Sequence, residues 1–154
     1  MDVIITTGLS PVKKEFIFQL WNKEYPVQLG FKTIADLDNY LDTLNDLNFF
    51  FLQNKNSVEG WAMTFGRDGE KWFAITIDSK AQGKGKGSFL LNNLKQHSDI
   101  LNGWVIDHEN DITPGGEKYK SPLQFYIKNG FIIHAGIRLE IPVLSAVKIS
   151  WYSG

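Results

Sequence analysis

Apolar positions follow a helical period in some parts of the chain and a strand period in others. β-Branched residues at 3–7 predict an opening strand. Ser10 and Pro11 form a cap-and-proline helix start, and Phe16, Leu20 and Trp21 continue it. After Thr33, apolar residues recur at helical spacing and predict a second helix.

The rest of the chain divides into short apolar runs separated by turn signals. Gly66-Arg67-Asp68-Gly69 is typical of a hairpin turn between two such runs. We predict helices over 87–97 and 121–130, and strands over 49–53, 58–65, 71–77, 103–106, 131–140 and 144–151. This order predicts a mixed α/β (α+β) fold, with a largely antiparallel central sheet flanked by helices, in a single domain over 1–154.

Composition limits the classes of function. The 154 residues are 43% hydrophobic and 14% aromatic, as in folded globular chains. The chain has 0 cysteines, which excludes a disulfide framework and a thiolate metal site, and we expect no metal. A net charge of -1 favours no nucleic-acid partner. No apolar run has the length of a membrane span, so we expect a soluble, cytoplasmic protein.

The segment after the strand at 71–77 favours anion binding. The strand runs into a loop of glycines at alternate positions, and the loop runs into a helix. Glycines allow left-handed backbone and close approach to a ligand, and the first turn of a helix offers unpaired N–H groups to an anion. The loop glycines and the lysines that add positive charge are Gly83, Gly85, Gly87, Lys80, Lys84 and Lys86.

The glycine loop does not match two common nucleotide-binding motifs, but it matches a third pattern. No register supplies the G-x-x-x-x-G-K-S/T of a Walker A loop or the G-x-G-x-x-G of a dinucleotide site. Gln82-x-x-Gly85-x-Gly87 instead resembles the Q/R-x-x-G-x-G/A signature of the GNAT superfamily of acyl-CoA-dependent N-acetyltransferases. The sequence Phe125-Tyr126-Ile127-Lys128-Asn129-Gly130-Phe131 resembles the F-Y-x-K-x-G-F element of the same family. The resemblance extends from about residue 58 to the C-terminus.

The resemblance implies binding of acetyl-CoA as a cosubstrate, with its pyrophosphate on the loop amides. It implies direct transfer of the acetyl group to a primary amine in a ternary complex. The residues expected to contact the cofactor are Ile75, Ile77, Gln82, Gly83, Lys84, Gly85, Lys86, Gly87, Ser88, Phe125 and Lys128.

Candidates for proton transfer come from the short helix and the loop before it. Tyr126 matches the family tyrosine that protonates the leaving thiolate, and its high pKa keeps it protonated at neutral pH. In some members of the family that this chain resembles, a glutamate on the strand before the loop is the general base; residues 72–77 contain no acid here, so we look for the base in Asp107-His108-Glu109. His108 is the first candidate, because an imidazole side chain can accept a proton from an amine, and Glu109 or Asp107 is the alternative.

The sequence does not identify the acceptor amine. Trp21, Tyr25, Phe31 and Tyr40 either line its pocket or belong to the core. Polyamines, amino acids, aminoglycosides, protein N-termini and lysine side chains all fit a small-molecule or peptide acceptor. Tyr119 stands where many relatives have asparagine, seven residues before the tyrosine.

Three further possibilities follow from the sequence. A non-catalytic acyl-CoA-binding module on the same fold is the first alternative function. A nucleotide-binding protein with an unrelated phosphate loop is the second. The closing strand at 144–151 can present an edge, so a homodimer is one arrangement that the fold would permit.

Overall fold

One seven-stranded sheet organises the chain in a computed structural model that describes residues 1–154. The strands are β1 (Asp2–Thr6), β2 (Asn45–Asn54), β3 (Ser57–Arg67), β4 (Glu70–Ile77), β5 (Ile100–Val105), β6 (Ile132–Ile141) and β7 (Leu144–Tyr152). The helices are α1 (Pro11–Glu24), α2 (Ile34–Asp42), α3 (Lys86–Gln96) and α4 (Leu123–Lys128). Short 3-10 turns cover Val27–Leu29 and Ser79–Ala81.

The strand order is β1-β2-β3-β4-β5-β7-β6, and every neighbouring pair except β4 with β5 is antiparallel. The predicted mixed, largely antiparallel fold is therefore confirmed. No helix combines the length and the apolar character needed to cross a bilayer.

The sheet is buried on both faces, which explains why its central strands are continuously apolar. Phe49 and Phe51 of β2 pack with α1 and α2, whereas Phe50 and Leu52 face α3 and α4. Alternate side chains of a strand point to opposite faces, so this run of four apolar residues supplies both cores.

Local signals place the first two helices as predicted. The Ser10 side chain accepts a hydrogen bond from the Lys13 amide, with Pro11 in the first turn of α1. Thr33 and Asp36 form a reciprocal capping box at the start of α2.

Several element boundaries were predicted wrongly, and the main differences lie at β2, β5 and the short helix. The strand predicted at 49–53 begins at Asn45, and the one predicted at 103–106 covers Ile100–Val105. The short helix begins at Leu123, with Pro122 as its cap position, and Ser121 Oγ accepts from the Leu123 amide at 3.3 Å. β2 begins with the polar residues Asn45 and Asp46, and β5 includes the polar Asn102, so the apolar pattern alone did not mark where these strands begin.

Strands β4 and β5 pair at a single register position, Trp72 with Asn102. Asn102 is 1% exposed, and its side-chain amide donates to Glu70 Oε1 and to the Lys71 carbonyl, both at 3.3 Å. Its Oδ1 accepts from the fully buried Ser150 hydroxyl at 2.5 Å. The Asn102 side chain therefore joins β4, β5 and β7 at the point where the two parallel strands meet.

Replacing Asn102 with alanine is expected to lower the free energy of unfolding by about 1–3 kcal/mol, because the substitution leaves buried hydrogen-bonding groups without partners. The measurement is urea denaturation of the variant and wild type. Asn92→Ala, at an exposed position of α3, is the matched control and should change stability by less than about 0.5 kcal/mol. Equal effects of the two substitutions would contradict the structural role of Asn102.

Candidate functional site

Beyond the Trp72–Asn102 pair, β4 and β5 separate and enclose a large cavity. Its volume is about 1130 Å³, and its wall includes β4 from Trp72 to Ile77 and β5 from Gly103 onward. At Gly103 a Cβ atom would lie 2.9 Å from the Phe73 ring, so the glycine permits the close approach of this aromatic side chain. The separation leaves backbone groups on one edge of β4 without a strand partner.

The glycine loop lies at the C-terminal end of β4 and opens onto this cavity. Gly83 and Gly85 have φ values of 79° and 76°, in the left-handed region that favours glycine, and a Cβ atom on either would meet no atom within 4 Å. Gly85 is the cap residue of α3, and no side chain caps the first turn of this helix. The N-terminal amides of α3 are thus available to an anion.

Hydrogen bonds from the loop side chains hold it against neighbouring elements. The Gln82 side-chain amide donates to the Ile77 carbonyl at 2.9 Å, which ties the loop back to β4. Asp78 accepts from the Lys80 amide at 3.0 Å and from Lys23 of α1 at 2.9 Å. These hydrogen bonds therefore fix the loop against β4 and α1.

The structure distributes the loop lysines differently from the sequence-based expectation. The Lys86 ammonium donates to both carboxylate oxygens of Glu59 at 2.7 and 2.8 Å, and this hydrogen-bonded ion pair lowers the pKa of Glu59. Neither Lys84 nor Lys86 lines the cavity, although Lys128 of α4 does. Lys86 therefore fixes the start of α3 against β3 rather than presenting an unpaired charge to the cavity.

Helix α4 reaches the loop through Phe125. A Cβ atom on Gly87 would lie 3.1 Å from the Phe125 ring, so only glycine fits this contact without displacement. Of the other predicted cofactor residues, Ile75, Ile77, Gln82, Gly83, Gly85, Gly87, Ser88 and Phe125 also line the cavity. The two sequence motifs, which are about 40 residues apart in the chain, thus meet at one wall.

Three tyrosines from different elements converge in the cavity. Tyr126 is 7% exposed and packs edge-on against Phe73 and Phe131, and burial raises its pKa well above the ordinary value. Tyr25 and Tyr119 also line the cavity, and both lie close enough to raise the Tyr126 pKa further by charge repulsion. The Tyr126 hydroxyl is therefore a protonated hydrogen-bond donor at neutral pH.

The predicted base candidates lie outside this cavity. His108 Nδ1 accepts from the Asn110 amide at 3.1 Å, and the ring borders a smaller cavity of about 160 Å³. Glu109 Oε2 accepts from the Ser121 amide at 3.3 Å, and Asp107 is paired with Arg138. The structure does not bring any of the three to the cavity that holds Tyr126, so their catalytic roles stay predictions.

The N-terminal aromatic residues divide between cavity and core. Tyr25 and Tyr40 line the cavity, whereas Trp21 and Phe31 pack against each other with ring centroids 4.9 Å apart. Sequence reasoning missed Arg67, because its four-residue segment was interpreted only as a hairpin turn. Tyr119 was noted only as a departure from a family pattern.

Comparison with known proteins finds similarity at the level of structure. No protein-family model and no curated protein matches the sequence. An aminoglycoside 6'-N-acetyltransferase complexed with coenzyme A superposes with a TM-score of 0.75 and 13% identity, covering 100% of this chain and 98% of that one.

Two further enzymes with different acceptors show the same likeness. A GNAT superfamily phosphinothricin acetyltransferase from Sinorhizobium meliloti, in complex with acetyl-CoA, gives a TM-score of 0.67 at 15% identity, covering 100% of this chain and 90% of that one. A ribosomal-protein-alanine N-acetyltransferase from Brucella melitensis gives a TM-score of 0.66 at 13% identity, covering 97% of this chain and 99% of that one. At these identities the likeness establishes the fold: the chain has the fold of the GNAT superfamily of N-acetyltransferases.

Proposed function

We propose that this protein is an N-acetyltransferase that moves an acetyl group from acetyl-CoA to a primary amine. The single observation that carries the proposal is the continuity of the cavity, which runs from the glycine loop along the open edge of β4 to Tyr126. One cavity thus joins an anion-binding helix start to a buried proton donor. Three structural neighbours of different acceptor specificity share this fold and support the same chemistry.

The residues present fit acetyl-CoA as the cosubstrate. The open glycine loop and the uncapped start of α3 would hold the pyrophosphate, assisted by the charge of Lys128. The unpaired edge of β4 beside Ile75 and Ile77 would accept the pantetheine amides, as a neighbouring strand would. The bound cosubstrate would supply an activated thioester carbonyl.

Direct transfer requires that both substrates occupy the cavity together. The amine nitrogen forms a bond to the carbonyl carbon, the carbon–sulfur bond breaks, and the proton lost by the amine balances the one gained by the thiolate. Tyr126 would donate that proton to sulfur, and two observations support this role: Tyr126 lines the cavity, and its raised pKa keeps it protonated. Holding both reactants together supplies much of the rate enhancement without a covalent enzyme intermediate.

Acetyl-CoA at about 100 times its dissociation constant is expected to raise the melting temperature by about 5–10 °C. Gly85→Ala should weaken binding about 10-fold, because a distorted loop removes charge-assisted hydrogen bonds to the pyrophosphate. Gly69→Ala is the matched control, since Gly69 has a φ of 77° in a distant hairpin and similarly open surroundings. Both variants bear the same backbone strain, so the thermal-shift titration isolates the loop contribution.

Equal acetyl-CoA affinity in the two glycine variants would contradict the loop assignment. No thermal shift with wild type would contradict the cosubstrate itself. A shift of equal size with ATP or NAD would favour the nucleotide-binding alternative.

Tyr126→Phe is expected to lower kcat by about 10²- to 10⁴-fold while acetyl-CoA affinity is retained, because the substitution removes only the proton donor. Release of free thiol from acetyl-CoA, measured with a panel of amines, gives the rate. Tyr152→Phe is the control, because Tyr152 is 50% exposed near the C-terminus. Acetyl-CoA binding without thiol release for any amine would favour the non-catalytic module.

A further inference from the structure

A single arginine lines the cavity: Arg67 lies at the hairpin end of β4, and the glycine loop follows the opposite end at Ile77. The Arg67 guanidinium carbon lies 5.1 Å from the ring centroid of Phe65 and 5.1 Å from that of Trp72. Both rings are buried, and both line the cavity together with Arg67. The aromatic rings therefore hold the guanidinium group in place beside the cavity.

No carboxylate of the chain pairs with this guanidinium. Glu70, the cross-strand partner of Arg67 in the β3–β4 hairpin, instead accepts a hydrogen bond from Asn102. By contrast, Arg138 is paired with Asp107 and Glu140 at 2.8 and 2.7 Å. Arg67 thus keeps its planar set of donors for a group from outside the chain.

The charges around the cavity favour an anionic ligand. The side chains that line it include four cations and two carboxylates; leaving out Lys128, which is proposed to assist pyrophosphate binding, the balance is +1, although the whole chain carries -1. Of the two carboxylates, Glu24 accepts from the Ser79 amide at 2.9 Å and lies 3.6 Å from Lys23, and Glu117 is exposed. The cations are Arg67, Lys118, Lys120 and Lys128.

We propose that the acceptor is an amine carrying a carboxylate or phosphate group, and that Arg67 binds this anionic group. The inference rests on the proposed acetyltransferase function and names its substrate class. A planar guanidinium binds two oxygens of a carboxylate or phosphate at once, which also orients the rest of the acceptor. Polycationic acceptors such as aminoglycosides and polyamines are correspondingly disfavoured.

Strand geometry sets the length of this acceptor. Thr76, whose hydroxyl donates to Tyr25 at 3.1 Å, lies four residues from Trp72 along β4, or about 13 Å. The amine must reach the tyrosine cluster while the anionic group reaches Arg67. Because the guanidinium contacts the anionic oxygen across a hydrogen bond of about 3 Å, the amine and the anionic group should be about 10 Å apart, the span of an extended tripeptide.

The test compares triglycine with triglycinamide, which share a skeleton and an amine but differ in the terminal charge. Affinity is measured by calorimetry, with and without saturating CoA, and kcat/KM is measured by thiol release. Wild type should favour triglycine by about 10- to 100-fold, and Arg67→Ala should abolish the preference. An aminoalkyl phosphate of matched length distinguishes a phosphate-bearing acceptor from a carboxylate-bearing one.

Lys148→Ala is the matched control. The Lys148 ammonium lies 5.5 Å from the same Trp72 ring, but Lys148 does not line the cavity. If the cations beside Trp72 only stabilise the fold, both variants should lose the preference for triglycine. If Arg67 recognises the anion, only Arg67→Ala should lose it. Retention of the triglycine preference in Lys148→Ala is the expected result.

Equal affinity for the two peptides in wild type, including no binding of either, would overturn the assignment of Arg67. Retained preference in Arg67→Ala would do the same. Either result can occur while acetyl-CoA still binds and thiol is still released, so failure of the Arg67 assignment can be told apart from failure of the proposed function. If acetyl-CoA does not bind, the peptide affinities of the protein alone still decide the role of Arg67.

Discussion

The candidate site depends on the pairing of β4 with β5 at one register position, Trp72 with Asn102. The buried amide of Asn102 and the hydroxyl of Ser150 hold the sheet together there. His134 Nε2 lies 2.9 Å from the same hydroxyl and extends this hydrogen-bonded network to β6. Because pairing stops at this position, the remaining length of β4 borders a cavity instead of another strand.

Several interactions within the chain organise the cavity. Lys86 and Glu59 fix the start of α3, Gln82 ties the loop to β4, and Phe125 packs against Gly87. Helix α4 thereby brings Tyr126 to the same cavity as the glycine loop. In the proposed direct transfer, a site built in this way would need little rearrangement to hold both substrates together, which would lower the entropic cost of the reaction.

The sequence predicted those features of the fold that depend on a few residues adjacent in the chain. The helix starts at Ser10 and Thr33, the apolar strand that contains Phe49–Leu52 and the loop at Gly83–Gly87 all belong to this class. Strand pairing between distant parts of the chain could not be predicted in this way. β5 includes the polar Asn102, whose hydrogen-bond partners come from β4 and β7. The position of Arg67 depends in the same way on two rings brought together by the hairpin.

The most direct test of the account is an amide NMR titration with acetyl-CoA. The account predicts that the largest chemical-shift changes fall on the backbone amides of 82–88 and on 75–77 along the open edge of β4. Changes should also reach α4, since Phe125 contacts the loop. Largest changes elsewhere in the chain, or none at saturating acetyl-CoA, would contradict the assignment of this cavity as an acetyl-CoA site.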